Sequence, residues 1–463
     1  MTRTAHCDGV KFEVAAIDLF ERDVRLRLPF RFGVVTLTAA PQAFVRLAIR
    51  CADGREAEGA AAELLVPKWF DKNPALSNED NFNQLRASLA AARKACLAGG
   101  SNTAWGHFLA QTRAGLVAGF GPALVERAAL DALCRAQGTS FYEALRRNLI
   151  GAESFEGLDL PAVLASLAAA PSIAARHTVG LLDPITAADA TWRADDGLPE
   201  TLEEVIARYG HRYFKLKVSG DMAADLERLA AIGAVLDRIP EPYHVSLDGN
   251  EQYSDMAGVA ELWRRMTQDA RLARLVASVL FIEQPVTRSR ALQQAVEGIE
   301  RPLIIDESDD ALDAFPRARA LGYRGVSSKT CKGIYRSLVN RARCPAWNAE
   351  AGSERYFMSG EDLTIQSGLA LQQDLALASL LGLTHVERNG HHYVNGMAAL
   401  PAGEQAAFLA AHPDLYERSH GAVRPRIERG LLAIGSLACQ GYASATMPDW
   451  NSMQSMAIQR EHA

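Results

Sequence analysis

The stretch RYFKLKV at residues 212–218 decides how the chain is read. Successive side chains of a strand point to opposite sides. Phe214, Leu216 and Val218 therefore form one apolar face, and Lys215 and Lys217 share the other. A strand that is apolar outward and cationic inward, with its charges near the C-terminal end, matches a (β/α) barrel, whose active sites lie at that end. A buried, unpaired lysine is costly and two are more so, which marks the pair as purposeful.

Working outward, short apolar runs alternate with helical stretches: HTVGLLD, RYFKLKV, YHVSLD, SVLFIE, PLIID, GVSSK, RYFMS and THVER. Eight such units point to a closed parallel barrel. The span 156–396 is close to the roughly 250 residues such a barrel needs. Residues 1–155 form a separate α+β domain. It has strands from about Val10 to Ala62, a hairpin at Asp53-Gly54, and helices from Asn78 to Gly138 broken at Gly99-Gly100 and Gly121-Pro122. Residues 397–463 return to this first domain, with IERGLLAIG as a strand pair and a polar tail from about Ser444. The fold class is α/β: a modified TIM barrel with an N-terminal α+β domain completed by the C-terminal segment. The stretch 183–200 has no assigned role.

Composition narrows the function. A net charge of −6 offers no basic footprint for nucleic acid. No apolar run is long enough for a membrane span, and the start MTRTAHCDGVKFEVA lacks a signal core, so a cytoplasmic protein is expected. Seven scattered cysteines without a CxxC fit reduced thiols, with neither a disulfide framework nor a cysteine zinc site. GxGxxG, GxxxxGK[ST] and GxSxG motifs are absent, which argues against dinucleotide, P-loop and serine-hydrolase chemistry.

The strands after RYFKLKV change sign. Asp248 ends YHVSLD, Glu283 ends SVLFIE and Asp306 ends PLIID, one βα unit apart. A lone acid there would read as a helix cap; three in succession deliver oxygen ligands to one point. Hard oxygen donors favour Mg²⁺, with Mn²⁺ possible. Glu307 must point away from Asp306 and is left as a supporting residue. GVSSK then ends in Lys329. With RYFKLKV second and GVSSK sixth, Lys217 and Lys329 face each other across the ring, with the acids between. That geometry suits proton transfer α to a metal-bound carboxylate through an enediolate. Lys215 is expected to tune Lys217 by like-charge repulsion.

These residues resemble the enolase superfamily, in its mandelate racemase/muconate lactonizing enzyme branch and specifically its muconate lactonizing enzyme-like members. The resemblance rests on KLK at 215–217, LDGN at 247–250, FIEQP at 281–285, IDES at 305–308, Lys329, and the helix ERAALDALCRAQGTSFYEAL, and it spans nearly the whole chain. It implies Asp248, Glu283 and Asp306 as Mg²⁺ ligands, Lys217 and Lys329 as acid/base lysines, and Asn250 as support. The seventh strand should add Glu361 or Asp362, and the first domain should cap the barrel with substrate contacts from 28–36 and 63–70, including Phe30, Arg31, Phe32 and Trp69. The general lysine-and-magnesium chemistry of such sites is well described. Lys329 is followed by TCKG, which makes Lys332 a weaker competitor. THVERNGHH lacks the Asp-x-Asp of dipeptide epimerases, and His391 and His392 read as loop or interface residues.

The expected partner is a small-molecule carboxylate, acted on by a homo-oligomer. Racemisation or epimerisation leads, because both lysines are present. A cycloisomerase or β-eliminating lyase needs only one lysine as base. A non-catalytic enolase-like binding protein is the remote alternative.

Overall fold

The computed structural model describes residues 9–457, so Cys7 lies outside the described residues. The first domain opens with an antiparallel sheet: β1 (Lys11–Phe32), β2 (Val35–Cys51) and β3 (Glu56–Leu64). The β1–β2 register runs from Phe12↔Cys51 to Phe32↔Val35. Residues 28–36 are therefore a hairpin tip rather than a free loop, and Gly33 supplies the positive φ, +47°, that the turn requires. The two-residue strand β4 (Asn102–Thr103) adds to β1.

Helix α1 (Asn78–Ala98) starts at a capping box in which Ser77 and Asp80 each bond the other's backbone N–H. It ends at Gly99, where the sequence places a break. After α2 (Ala104–Gln111), helix α3 (Leu116–Ala136) runs straight through Gly121-Pro122, contrary to the predicted break. Ser88 of α1 explains the continuity. Pro122 has no N–H to offer Ala118, and the Ser88 hydroxyl donates to that carbonyl at 3.2 Å instead. A Cβ on Gly121 would stand 2.2 Å from the Ser88 carbonyl oxygen, so only glycine lets the helices approach this closely.

The barrel strands are β5 (Ser172–Val179), β6 (Tyr213–Lys217), β7 (His244–Asp248), β8 (Val279–Glu283), β9 (Leu303–Ile305), β10 (Gly325–Ser328), β11 (Phe357–Gly360) and β12 (His385–Arg388). All neighbours are parallel, and His385↔Ala174 pairing of β12 with β5 closes the ring. Seven of the strands fall where the apolar runs place them. The first starts earlier than His177, and its predicted end, Leu181 to Asp183, lies beyond the strand.

The C-terminal stretch returns to the first domain as predicted, with the Tyr442 N–H donating to Asp131 and its ring stacked on Phe141, but IERGLLAIG departs from that return. After a hairpin of β13 (Tyr416–Ser419) and β14 (Ala422–Pro425), IERGLLAIG supplies β15 (Leu431–Ala433), which pairs antiparallel with Ser172–Ala174 of the barrel. The reason is register: β6 first meets β5 at Arg176, which leaves the start of β5 with an open edge. Only β16 (Gln454–Ser455) joins the first sheet, beside Phe20 and Glu21. The region after Ser444 is not a solvated tail up to residue 457. Ser444 and Met456 are buried, and Trp450 packs on Phe20 under the Arg46 guanidinium. Among the described residues no helix is long and apolar enough to cross a membrane.

Candidate active site

The inward charges of the barrel form two layers. In the lower one, Lys215 Nζ lies 2.8–2.9 Å from carboxylate oxygens of Asp248, Glu283, Glu361 and Glu387. Burial alone would depress this ammonium, but the four acids hold it well above the usual lysine range. Lys215 is thus a neutralised knot and not the bare cation expected to repel Lys217. Arg176 donates to Glu361 and to the Gly360 carbonyl, Ser359 donates to Glu361 at 2.5 Å, and Thr178 donates to Glu387 at 2.6 Å.

At the mouth, Lys217 Nζ donates to Asp248 Oδ2 at 2.5 Å, and Lys329 Nζ donates to Asp306 Oδ2 at 2.5 Å. The two lysines, on and just after strands four places apart in the ring of eight, thus meet the acid row at its two ends. They are 6% and 3% exposed, so the site excludes bulk water. Burial opposes ionisation of all three acids. Lys215 and Lys217 nevertheless hold Asp248 below the usual carboxylate range, and Lys329, Lys332 and Lys215 do the same for Asp306. Glu283 goes the other way: burial, then the charges of Asp248 and Glu361, push it well above that range.

This imbalance bears on whether the residues suit a cation. Among the described residues Asn250 Oδ1 and Glu307 Oε2 are buried acceptors without a hydrogen bond, and Glu283 Oε2 faces Lys215 Nζ at 2.8 Å without hydrogen-bond alignment. Carboxylates from three consecutive strands, flanked by unpaired hard oxygens, fit a hard divalent ion. Asn250 also ties the row together: its N–H donates to Asp248 Oδ1 at 2.8 Å and its side-chain amide reaches Glu307 at 3.4 Å. Asn250, Glu251 and Gln284 all hold positive φ, a strain that clusters at functional sites.

The first domain closes over the mouth. Trp69 is buried with its ring 4.5 Å from Lys329 Nζ, and its indole N–H has no partner among the described residues. Arg288, which opens the short helix Arg288–Ala291 after β8, donates to the Trp69 and Phe70 carbonyls and fixes this segment. Other expected contacts fall elsewhere. Arg31 donates across its own hairpin to Thr36 at 3.3 Å, and Phe32 packs on Phe30, which stacks on Tyr393. Glu361 lies in the lower layer with no exposed surface. Asp362 accepts N–H groups of Ile365 and Asn389, and burial, partly offset by Arg388, raises its carboxyl to about 6. Lys332 bonds Ser327 and pairs with Asp309, and its Nζ also stands 3.6 Å from Asp306 Oδ1.

Four contributors escaped the sequence reading. Lys72 bonds the Asn250 carbonyl at 2.7 Å and pairs with Glu251 and Glu307, yet WFDKNP carries no signal for it. Gln284 accepts from the N–H groups of Asp306 and Ser308 and donates to the Ser308 hydroxyl, bracing the IDES turn. Arg176 and Glu387 were legible in principle, as charges at inward positions of β5 and β12, but the first strand was started one residue too late for Arg176.

Residues 197–408 match the family model described as enolase C-terminal domain-like. No curated protein matches the sequence. Solved structures sharing the fold include muconate lactonizing enzyme from Pseudomonas fluorescens complexed with muconolactone, at 18% identity and TM-score 0.61, covering 95% of this chain and 97% of that one. The L-Ala-D/L-Glu epimerase from Bacillus subtilis aligns at 15% identity and TM-score 0.58, covering 94% and 100%. An enolase from Bradyrhizobium complexed with magnesium and mandelic acid aligns at 16% and 0.58, covering 93% and 99%. The barrel is thus similar to the enolase C-terminal domain-like family over residues 197–408, and the two-domain fold is shared with these structures.

Proposed function

We propose that the protein catalyses Mg²⁺-dependent removal of a proton α to a carboxylate, with racemisation or epimerisation of a small carboxylic acid as the overall reaction. The observation that carries this reading is the placement of Lys217 and Lys329 at opposite ends of one acid row. Asp248, Glu283 and Asp306 would hold the cation, with Mn²⁺ as a substitute. Magnesium there would neutralise the charge that develops on the substrate carboxylate as the α-proton leaves. A substrate carbon between the lysines could lose its proton to one face and regain it from the other. Asn250 and Gln284 keep the acids in place, and Lys72 and Trp69 cover the mouth. A cavity of about 980 Å³, whose walls include Val34, Phe70, Lys72, Leu116 and Arg288, offers room for the rest of the substrate.

One observation favours cycloisomerisation or β-elimination instead. Lys329 rests on the Trp69 ring, which stabilises it as a cation and suits charge shielding more than proton delivery. Incubation in heavy water with Mg²⁺ and a panel of carboxylates separates the readings by NMR. Deuterium at the α-carbon of both enantiomers is expected. Loss of a leaving group or ring closure without exchange into the opposite enantiomer would replace racemisation by the second reading, and no exchange with any carboxylate would sink both.

A further inference from the structure

At the seam where the barrel closes, β12, β5 and β6 run side by side. Arg176 and Thr178 of β5 bond into the barrel interior, so His177 between them faces the opposite way, toward the outer layer. His211 stands just before β6, and His391 lies in the short helix Gly390–Tyr393 that follows β12. The sequence reading left His391 as a loop residue for want of partners; the fold supplies two. One ring nitrogen from each of His177, His211 and His391 lies within 4.8 Å of the others, and His177 Nδ1 is 3.3 Å from His391 Nε2.

The hydrogen bonds sharpen this cluster. His211 is fully buried, and its Nδ1 meets the Ala175 carbonyl at 3.0 Å. A carbonyl only accepts, so Nδ1 carries the proton and Nε2 carries the lone pair. Among the described residues that Nε2 has no hydrogen-bond partner. Buried imidazole nitrogens left unpaired are expensive. A backbone carbonyl holding the far nitrogen is also how metal-bound imidazoles are usually oriented. Tetrahedral zinc, with Zn–N near 2.0–2.1 Å, sets its ligand nitrogens about 3.3–3.4 Å apart. His177 Nδ1 and His391 Nε2, which share a hydrogen bond that a bound ion would replace, already stand at that separation.

We propose that His177, His211 and His391 form a three-imidazole site for a divalent ion of the zinc type, separate from the carboxylate row inside the barrel. Neutral nitrogen donors without a carboxylate select zinc, cobalt, nickel or copper over magnesium. Burial holds His211 down at about 4, so it presents its lone pair at neutral pH. A bound ion would clip the last barrel strand to the first two. The unassigned stretch 183–200 is held against the same region: Asp183 accepts from Tyr393, and Arg27 pairs with Asp196 while donating to the His392 carbonyl at 2.8 Å.

The test uses the full chain with excess Mg²⁺, which keeps the carboxylate row from taking up the probe. After addition of Zn²⁺ and gel filtration, elemental analysis should find one zinc per chain, lost in both His177→Ala and His391→Ala. Co²⁺ in its place should give the intense visible bands of a nitrogen-ligated, low-coordinate ion. Should either variant fail to fold, His391→Gln and the cobalt spectrum of the unaltered protein decide the matter. No retained zinc, zinc undiminished in the folded variants, or only the weak bands of a six-coordinate oxygen site would each overturn the proposal.

Discussion

The two charged layers inside the barrel are built from the same residue types at similar burial, yet they are wired differently. In the lower layer Lys215 has four acidic partners, and Glu361 and Glu387 each accept from several donors. At the mouth Lys217 and Lys329 each donate to a single carboxylate, and Asn250 Oδ1 and Glu307 Oε2 beside them have no hydrogen bond. A fully shared charge cannot exchange partners without leaving another charge unpaired in a poorly solvated interior. A singly bonded lysine beside unfilled acceptors can. Number of partners, more than burial or charge, separates the layer that holds the barrel from the layer equipped for chemistry.

The most severe way to break this comparison is Lys215→Met. It leaves four buried acids without their common cation, and removing one partner of a buried pair costs about 3–5 kcal/mol. Urea denaturation at pH 7 should show a loss of that order, and an unchanged midpoint would mean that the lower layer is not what holds the strands. Lys217→Ala and Lys329→Ala should do the reverse. Each should retain the fold and Mg²⁺ binding while turnover falls by about 10²–10⁴-fold, the usual worth of a general acid or base. Full activity in either variant would dismantle the two-lysine reading.

His385 sharpens the comparison through pH. Burial first, then the neighbouring Arg176, bring its imidazole down to about 3, and Arg176 approaches its Nδ1 at 2.6 Å. The folded value lies below the ordinary value of about 6.5. The neutral form therefore stabilises the fold above that pH, and stability is lost as pH falls from about 6.5 toward 3, by at most roughly 1.4 kcal/mol per unit. Denaturation of His385→Gln between pH 7 and 4 should be flatter than that of the unaltered protein, and parallel curves would remove His385 from the acid response. The mildest change is Trp69→Phe, which weakens a cation–π contact worth about 0.5–2 kcal/mol. A several-fold fall in kcat with KM unchanged would assign Trp69 to Lys329, whereas a rise in KM alone would assign its indole N–H to the substrate.

Legibility followed the same division. Lys217, Asp248, Glu283, Asp306 and Lys329 could be singled out in the sequence because each stands at or just after the end of a barrel strand, a position that both alternation and the βα rhythm expose. Lys72 and Trp69 come from a different domain, and their meeting with Lys329 and Glu307 depends on closure over the mouth, for which linear spacing holds no information. Glu361 was placed on the right strand but in the wrong layer, because depth along the barrel axis depends on strand register. The histidine seam was invisible for a related reason: residues 177, 211 and 391 adjoin only once the first and last strands pair.

What the sequence determined by itself was periodicity and sign: eight alternating units, an apolar outer face, and acids flanked by lysines at the strand ends. Those properties are local, set by side chains within a few residues of one another. Tertiary structure alone decided which charges share partners, which oxygens stay unpaired and which imidazoles converge, because those depend on ring closure and on the first domain folding back over the barrel.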